Sequence, residues 1–457
     1  MDIAALLRQP EGKTLEFKRD LSSPDNVLKT IVAFANTAGG IMLVGVDDKT
    51  RKTGGLADPL KEEERLASLI ADRISPRLVP TLEILSWRGA QLMRIEVYPG
   101  NSSPCFLKNL GPENGVFVRL GSTNRKADIA LIREMQRLSA SETFDEIPLP
   151  EFGRADLDLE AAAALFSPRI KLTSATLQTL RILVRHARRE VPSTGGFLLF
   201  GRDHTRRFPD AWIQCGRFSG TDKTRLADTL ESTKLLPQAL EEAYGFIRRH
   251  SNRPVRIDGL RNTPGESIPL RAARELLVNA IVHADYSQAG APVRVSLFDD
   301  RLEIENPGIL LAGLTIEDIT QGVSRLRNRV IGRVFKELGY IEQWGSGIQR
   351  AVAACADAGL PPPRFEELPF RFRAILPLVP VAMTAPALDP AGEQIRQLLI
   401  SHEAADGLAP KEIATALGVT TRTIRTRMAR LERLGLVIPV GKNNRDPRRR
   451  YVWKNPA

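Results

Sequence analysis

Cysteine is nearly absent from this 457-residue chain: Cys105, Cys215 and Cys355 are the only three, far apart and without a C-x-x-C spacing. That excludes a disulfide framework and a cysteine-held zinc site, and it fits a reducing cytoplasm. Aromatic residues make up only 6% of the chain, so its cores must be built from aliphatic side chains. No apolar run approaches the ~18 residues that span a bilayer, and no membrane partner is expected. The start, MDIAALLRQPEGK, has an acidic second residue and a short apolar stretch, which does not read as a signal peptide. Histidine is scattered, with no second histidine at metal spacing from His283.

Ordinary soluble protein remains, with 42% apolar and 26% charged residues. At roughly 100–200 residues per domain the length points to two to four domains. The formal net charge of +11 favours a polyanionic partner, nucleic acid above all. Its location is informative: residues 391–457 hold 13 Lys and Arg against six Asp and Glu, about two-thirds of the excess. Prolines at 377, 380, 386 and 390 precede this tail and read as an extended linker. A weaker boundary lies near 146–158, where EIPLPEFGRADLD interrupts the periodic pattern. The units expected are 1–145, a mixed connecting segment 146–255, then 256–380, a linker 381–390, and 391–457.

In the first unit, VLKTIVAFANTAGGIMLVGVDD passes from helix to strand. Val27, Ile31 and Phe34, flanked by Leu28, Val32 and Ala35, form an apolar helical face. Gly39-Gly40 breaks the helix, and Ile41 to Val46 reads as a buried strand ending at Asp47-Asp48. The motifs EGKTLEFK, AFANTAGGIMLVGVDD and VRLGSTNR, in this order, resemble the Schlafen AlbA-type domain over about 1–130. That resemblance implies a nucleic-acid-binding α/β domain. In nuclease members two glutamates and a later aspartate hold a divalent metal beside a lysine, and the matching positions are Glu11, Glu16, Lys18 and Asp47 or Asp48. Such carboxylates suit Mg²⁺ or Mn²⁺, which polarise a phosphodiester and activate water. The alternative is that Glu16 and Lys18 are edge-strand charges and Asp47-Asp48 a turn. Arg119, Ser122, Asn124 and Arg125 are candidates for phosphate contact, or else for a solvated hairpin tip.

Further on, FLLFGRDHTRRFPDAWIQCGRFSG suggests two strands. Its Gly196-x-x-x-x-Gly201 spacing has Arg202 and Asp203 where a P-loop needs Lys and Ser or Thr, so it is no Walker motif. RAARELLVNAIVHADYS reads as a helix that places Glu275, Asn279 and His283 on one face at i, i+4, i+8. A strand pair, VRVSLFDDRLEIENPGIL, turns at Asp299-Asp300, and a helix then leads to the glycine turn GSGI. This order resembles the GHKL (Bergerat-type) ATP-binding fold over about 265–350, in the form found in RecG-related transcriptional regulators. The resemblance implies ATP or ADP with Mg²⁺, the ion ligated by Asn279. Glu275 would orient the attacking water in hydrolysing members, and Gly345 and Gly347 would admit the phosphates. The adenine-recognising turn departs from the family's D-x-G-x-G: Asn306 and Gly308 stand in Asn-Pro-Gly-Ile-Leu, without the charge and without the second glycine.

The last unit reads as a winged helix-turn-helix. Ile395, Leu398 and Leu399 give a first core face; LAPKEIATALGV forms a second helix, and RTIRTRMARLERLG a third with Ile424, Met428, Leu431 and Leu434 inward. Arg422 and Arg425 fall near the end that enters the major groove in this motif. LVIPV and RYVW would be the wing strands around Lys442, Arg445, Arg448, Arg449 and Arg450, suited to phosphate or minor-groove contact. The fold class expected is therefore multidomain α+β: a Schlafen AlbA-like α/β domain, a GHKL-like α/β sandwich and a C-terminal winged helix-turn-helix.

Two functions of different kinds stand open. One is a cytoplasmic, nucleotide-sensing transcriptional regulator that binds duplex DNA. The other is a Schlafen-like metal-dependent nuclease, cutting RNA or DNA, with a role in defence against phage. Weak ATPase activity is compatible with either, and homo-oligomers are common in both groups.

Overall fold

The structure is a computed structural model, and it describes residues 3–100, 104–166, 170–251, 256–258, 261–263, 268–341, 345–378, 390–401, 407–433, 437–440 and 450–453. The chain forms a multidomain α+β protein that divides into two compact units, Met1–Leu378 and Val379–Ala457.

The first unit begins with a four-stranded sheet in the order Leu15–Lys18, Gly40–Val44, Ala90–Val97, Thr81–Trp87. The first pair is parallel and the others antiparallel. Gly40–Val44 sits inside this sheet and is covered on both faces. Alternation therefore sends Met42 and Val44 into one core with Val27, Ile31 and Phe34, and Ile41 and Leu43 into another with Leu6, Leu15 and Phe17. That division is the period-2 geometry of a strand. The helix Pro24–Ala35 starts with Pro at its first turn and Asp25 near the positive end of its dipole. It ends where Gly39 takes a φ of +74°; a Cβ there would lie 2.7 Å from the Val97 carbonyl oxygen. A hairpin, Phe117–Leu120 with Thr123–Lys126, packs on the same helix.

A six-stranded sheet follows in the order Leu226–Ser232, Ile213–Phe218, Val293–Leu297, Arg301–Pro307, Arg371–Pro377, Arg364–Leu368. Only the Ile213–Phe218 and Val293–Leu297 pair is parallel. Two of its strands come from within 146–255, so that segment contributes to the same sheet. The helices Leu270–Val282, Leu236–Arg249 and Gly347–Asp357 pack together on this sheet over the largest core of the chain.

One expectation fails here. FLLF, read as a strand, lies in the helix Thr194–Phe200. Every residue of it is buried, so no polar face remains to reveal a helical period. The deciding features are local: the Ser193 side chain accepts from the Gly196 N–H at 2.9 Å as an N-cap. Gly196 also lets the Ile182 carbonyl approach to 2.2 Å from where a Cβ would stand.

The second unit contains the helices Pro390–Ser401, Pro410–Ala416 and Thr421–Arg433 and an antiparallel pair, Val437–Val440 with Arg450–Trp453. Its core gathers Ile395, Ile413, Ile424, Met428, Leu431 and Tyr451. Gly418 takes a φ of +66° after the second helix, and the Thr420 hydroxyl accepts from the Thr423 N–H at 3.2 Å to start the third. Lys442, Arg445, Arg448 and Arg449, Leu434 and the linker residues 381–389 lie outside the described residues. Among the described residues no helix is long and apolar enough to cross a membrane.

Candidate functional site

The helix Leu270–Val282 and its C-cap His283 present Glu275, Asn279 and the His283 ring to a cavity of about 400 Å³, whose lining also includes Asn306, Gly345 and Gly347. This volume is in the range of small-ligand sites. Glycine is favoured at two of these positions. Gly345 has a φ of +65°, and a Cβ on Gly347 would stand 3.0 Å from Glu275 Oε2 and 3.5 Å from the Asn279 amide nitrogen. Gly347 also opens the helix Gly347–Asp357 after its N-cap Ser346. The first-turn N–H groups of a helix and its dipole favour an anion at that end.

Glu275 is buried and doubly paired. Its Oε1 accepts from Arg274 at 3.0 Å and its Oε2 from Arg350 at 2.9 Å. Asn279 has its side chain facing the cavity, with no hydrogen bond among the described residues. The Asn279 amide oxygen lies 3.7 Å from where a Cβ on Gly347 would stand, and it is an acceptor of the kind a hard divalent cation takes. His283 also lines the cavity; burial, with the Arg327 cation, pushes its pKa down to about 4.

At the other end, Asn306 is buried and its amide N–H₂ donates to the Pro307 carbonyl at 3.0 Å and more weakly to that of His283 at 3.4 Å. That use of the donor leaves its oxygen as an acceptor. Gly308 has a φ of +96° and lies behind the cavity wall, where a Cβ would come 2.6 Å from Arg327 Nη1. The missing second glycine is Leu310, whose N–H is bound by Glu367 Oε1 at 2.9 Å.

The N-terminal candidates are arranged differently. Glu16 is buried; Lys18 Nζ donates to its Oε1 at 2.5 Å and Arg119 Nη2 donates to its Oε2. Glu11 Oε1 accepts from the Phe17 N–H at 2.8 Å. Asp47 Oδ1 closes its own turn, accepting from the Thr50 N–H and hydroxyl, both at 2.8 Å. Those bonds hold its carboxyl below the usual range, and Asp48 is exposed beside it. Among the described residues no three His, Cys, Asp or Glu side chains form a group able to hold a metal ion. The carboxylates of the first motif thus have protein donors where an ion would need them.

Arg119 is 1% exposed, so its guanidinium faces protein: Nε donates to the Gly12 carbonyl and Nη1 to Asn124 Oδ1, both at 3.0 Å. Asn124 in turn donates to the Thr30 hydroxyl at 2.8 Å. Ser122 is exposed at the hairpin turn and Arg125 on the second strand, opposite Val118. In the second unit Arg422 and Arg425 are exposed on the third helix, and Arg450 donates to the Gly407 carbonyl at 2.9 Å and to Glu412 at 2.8 Å.

Three residues of the first unit matter that no local motif singles out: Arg350, Arg327 and Glu134. Arg350 was within reach of a sequence argument, because it falls one helical turn after Gly347. Arg327 and Glu134 carry no such signal, since they are separated by 193 positions.

Comparison with known proteins agrees with the two resemblances in the first unit. Residues 11–128 match the family described as Schlafen, AlbA_2. Residues 290–376 match the HATPase_c_4 family, described as "Putative ATP-dependent DNA helicase recG C-terminal". The second match begins after Glu275 and Asn279, so these two rest on their geometry. Among solved structures, the DIP2311 protein from Corynebacterium diphtheriae aligns at 20% identity over 97% of this chain and 92% of that one, with a TM-score of 0.45. The N-terminal domain of a RecG-related protein from Nitrosomonas europaea aligns at 29% identity over 28% of this chain and 95% of that one, with a TM-score of 0.23.

Proposed function

We propose that this chain is a nucleotide-responsive, DNA-binding regulator that takes ATP or ADP with Mg²⁺ in the cavity of its first unit. The observation that carries this reading is the meeting of Asn279, Glu275 and Gly347 at one helix N-terminus inside a cavity of about 400 Å³. The phosphates would lie against the backbone of Gly345–Gly347, and the adenine amino group would donate to the Asn306 oxygen. Asn279 would hold Mg²⁺, whose charge neutralises the phosphate oxygens. Glu275 is engaged by two arginines; it must leave one of them before it can orient water, which supports sensing over rapid turnover.

DNA contact is assigned to the second unit, read as a winged helix spanning 391–457. Its third helix exposes Arg422 and Arg425, and its basic excess favours phosphate. The N-terminal module, 1–145, adds further nucleic-acid contact in this reading, with 146–255 and 256–380 completing the nucleotide-binding body. The nuclease alternative is less well supported, because Glu16 is already neutralised by Lys18 and Arg119.

The test measures anisotropy of a labelled DNA duplex, titrated with wild type and Asn279→Ala, each with and without ATP and Mg²⁺. Nucleotide should shift duplex affinity in the wild type only. Calorimetry should show magnesium-dependent nucleotide binding weakened about tenfold or more in the variant; equal affinity sinks the assignment. Labelled RNA, single-stranded DNA and duplex DNA should stay intact in Mn²⁺. Cleavage that Glu16→Ala abolishes would make the nuclease the correct reading instead.

A further inference from the structure

The wall of the nucleotide cavity is held from behind by the N-terminal α/β module. Arg327 lines the cavity and is buried at 5% exposure. Its guanidinium donates to the carbonyl oxygens of His283 at 2.8 Å and Ile309 at 2.6 Å, and both of those residues also line the cavity. Nε donates to Glu134 Oε1 at 2.6 Å, and Nη2 reaches Oε2 at 3.4 Å. Glu134 lies on the helix Ile129–Ser139 and is itself buried. One planar cation therefore ties three points together: the C-cap of the Glu275–Asn279 helix, the Asn-Pro-Gly turn and the N-terminal module.

A second tie starts in the first sequence motif. Lys13 Nζ donates to Glu367 Oε2 at 2.7 Å and to the Leu314 carbonyl at 3.1 Å. The other Glu367 oxygen accepts from the Leu310 N–H, and Leu310 and Leu314 line the cavity. A third tie joins the Gly313 N–H to the Thr37 carbonyl at 2.5 Å. The Thr37 hydroxyl in turn accepts from the Arg119 N–H at 2.8 Å, and Arg119 holds Glu16 and Gly12. The three N-terminal motifs thus form one hydrogen-bonded network that ends on the cavity wall.

We propose that Glu134, acting through Arg327, and Lys13, acting through Glu367, are positioning residues for the nucleotide site, so that cavity occupancy and the state of the N-terminal module depend on each other. The proposal rests on the nucleotide reading given above and adds the direction of its output. Two bound states are coupled when one element's arrangement is biased by both sites, and the coupling is reciprocal. Here that element is the segment 308–327: its inner side faces the ligand and its outer side is bonded to Lys13, Thr37 and Glu134. Neutralising Glu134 leaves the buried Arg327 cation without its hydrogen-bonded counter-charge, with Asp285 and Glu367 acting on it only through space, which frees it to pull on the turn it supports.

The experiment uses the full chain and a fluorescent ATP analogue with Mg²⁺. Affinity is measured for wild type, Glu134→Gln, Lys13→Met and the conservative Glu134→Asp. Hydrogen exchange of peptides covering 11–18 and 34–39 is followed with and without the analogue. Expected are affinity losses of about tenfold in Glu134→Gln and Lys13→Met, within the range of coupled sites, and partial rescue in Glu134→Asp. Nucleotide should slow exchange in both N-terminal peptides of the wild type, although neither touches the cavity, and should leave them unchanged in Lys13→Met. Wild-type binding with unaltered affinity and exchange response in the variants overturns the coupling and leaves the nucleotide site standing. No binding by the wild type overturns both. Lys13→Met decides the matter if Glu134→Gln fails to fold.

Discussion

Replacing Arg119 by Met separates a structural arginine from one that contacts phosphate. The side chain is 1% exposed and its three guanidinium nitrogens donate to Gly12, Asn124 and Glu16. Removing it strips the buried Glu16 of one of its two cations. Breaking a buried pair in this way costs about 3–5 kcal/mol. The surviving contact comes from Lys18, whose side chain is 31% exposed; it places the carboxylate loss near the low end. The orphaned Gly12 carbonyl and Asn124 amide add about 1 kcal/mol each. A total of about 5 kcal/mol corresponds to a rise of roughly a few thousandfold in the population of the locally opened module. Hydrogen exchange of the strands Leu15–Lys18 and Gly40–Val44 reads that population directly. Arg125→Met is the internal control: it lies on the same hairpin but is exposed, and should change stability by less than about 0.5 kcal/mol. Adding Glu16→Leu to Arg119→Met should recover most of the loss, because no buried charge then remains unpaired. If Arg119→Met exchanges no faster than Arg125→Met, the pair is not holding the module together and the structural assignment of Arg119 is wrong.

Two further outcomes are expected. His283 has a pKa pushed down to about 4, so its neutral form belongs to the folded state. Its contribution to stability, at most about 3 kcal/mol, is complete above its ordinary value near 6.5 and is lost as pH falls through about 4. An NMR titration of the imidazole Cε1–H with its midpoint near 6.5 would contradict this. In the second unit, Arg422→Ala and Arg425→Ala should each weaken duplex binding and flatten its salt dependence by about one unit of log–log slope. Unchanged slopes would move the DNA contact elsewhere.

Much of the fold was legible because its signals are local. The face of Val27, Ile31 and Phe34, the Gly39-Gly40 break and the turn at Asp299-Asp300 need only neighbours within a few positions, and each element stands where its pattern puts it. The cavity helix was legible for the same reason: Glu275 and Asn279 are four apart, so one helix brings them to one side. FLLF was misread because a fully buried segment shows no period, and its capping serine and close-packed glycine outweigh strand propensity.

The sequence by itself determined the elements that carry a periodic face, the order of three motif-bearing segments and the residue types at one end of the cavity, since these depend on spacing along a single helix or strand. Tertiary structure alone decided what the charged residues do. Glu16 and Arg119 are equally compatible with an ion site, a phosphate contact or a buried pair until strand and hairpin, 103 positions apart, are brought together. Arg327 and Glu134 pair across 193 positions, and Lys13 and Glu367 across 354. A charge takes its role from the partner that offsets its desolvation, and a distant partner leaves no trace in the local pattern.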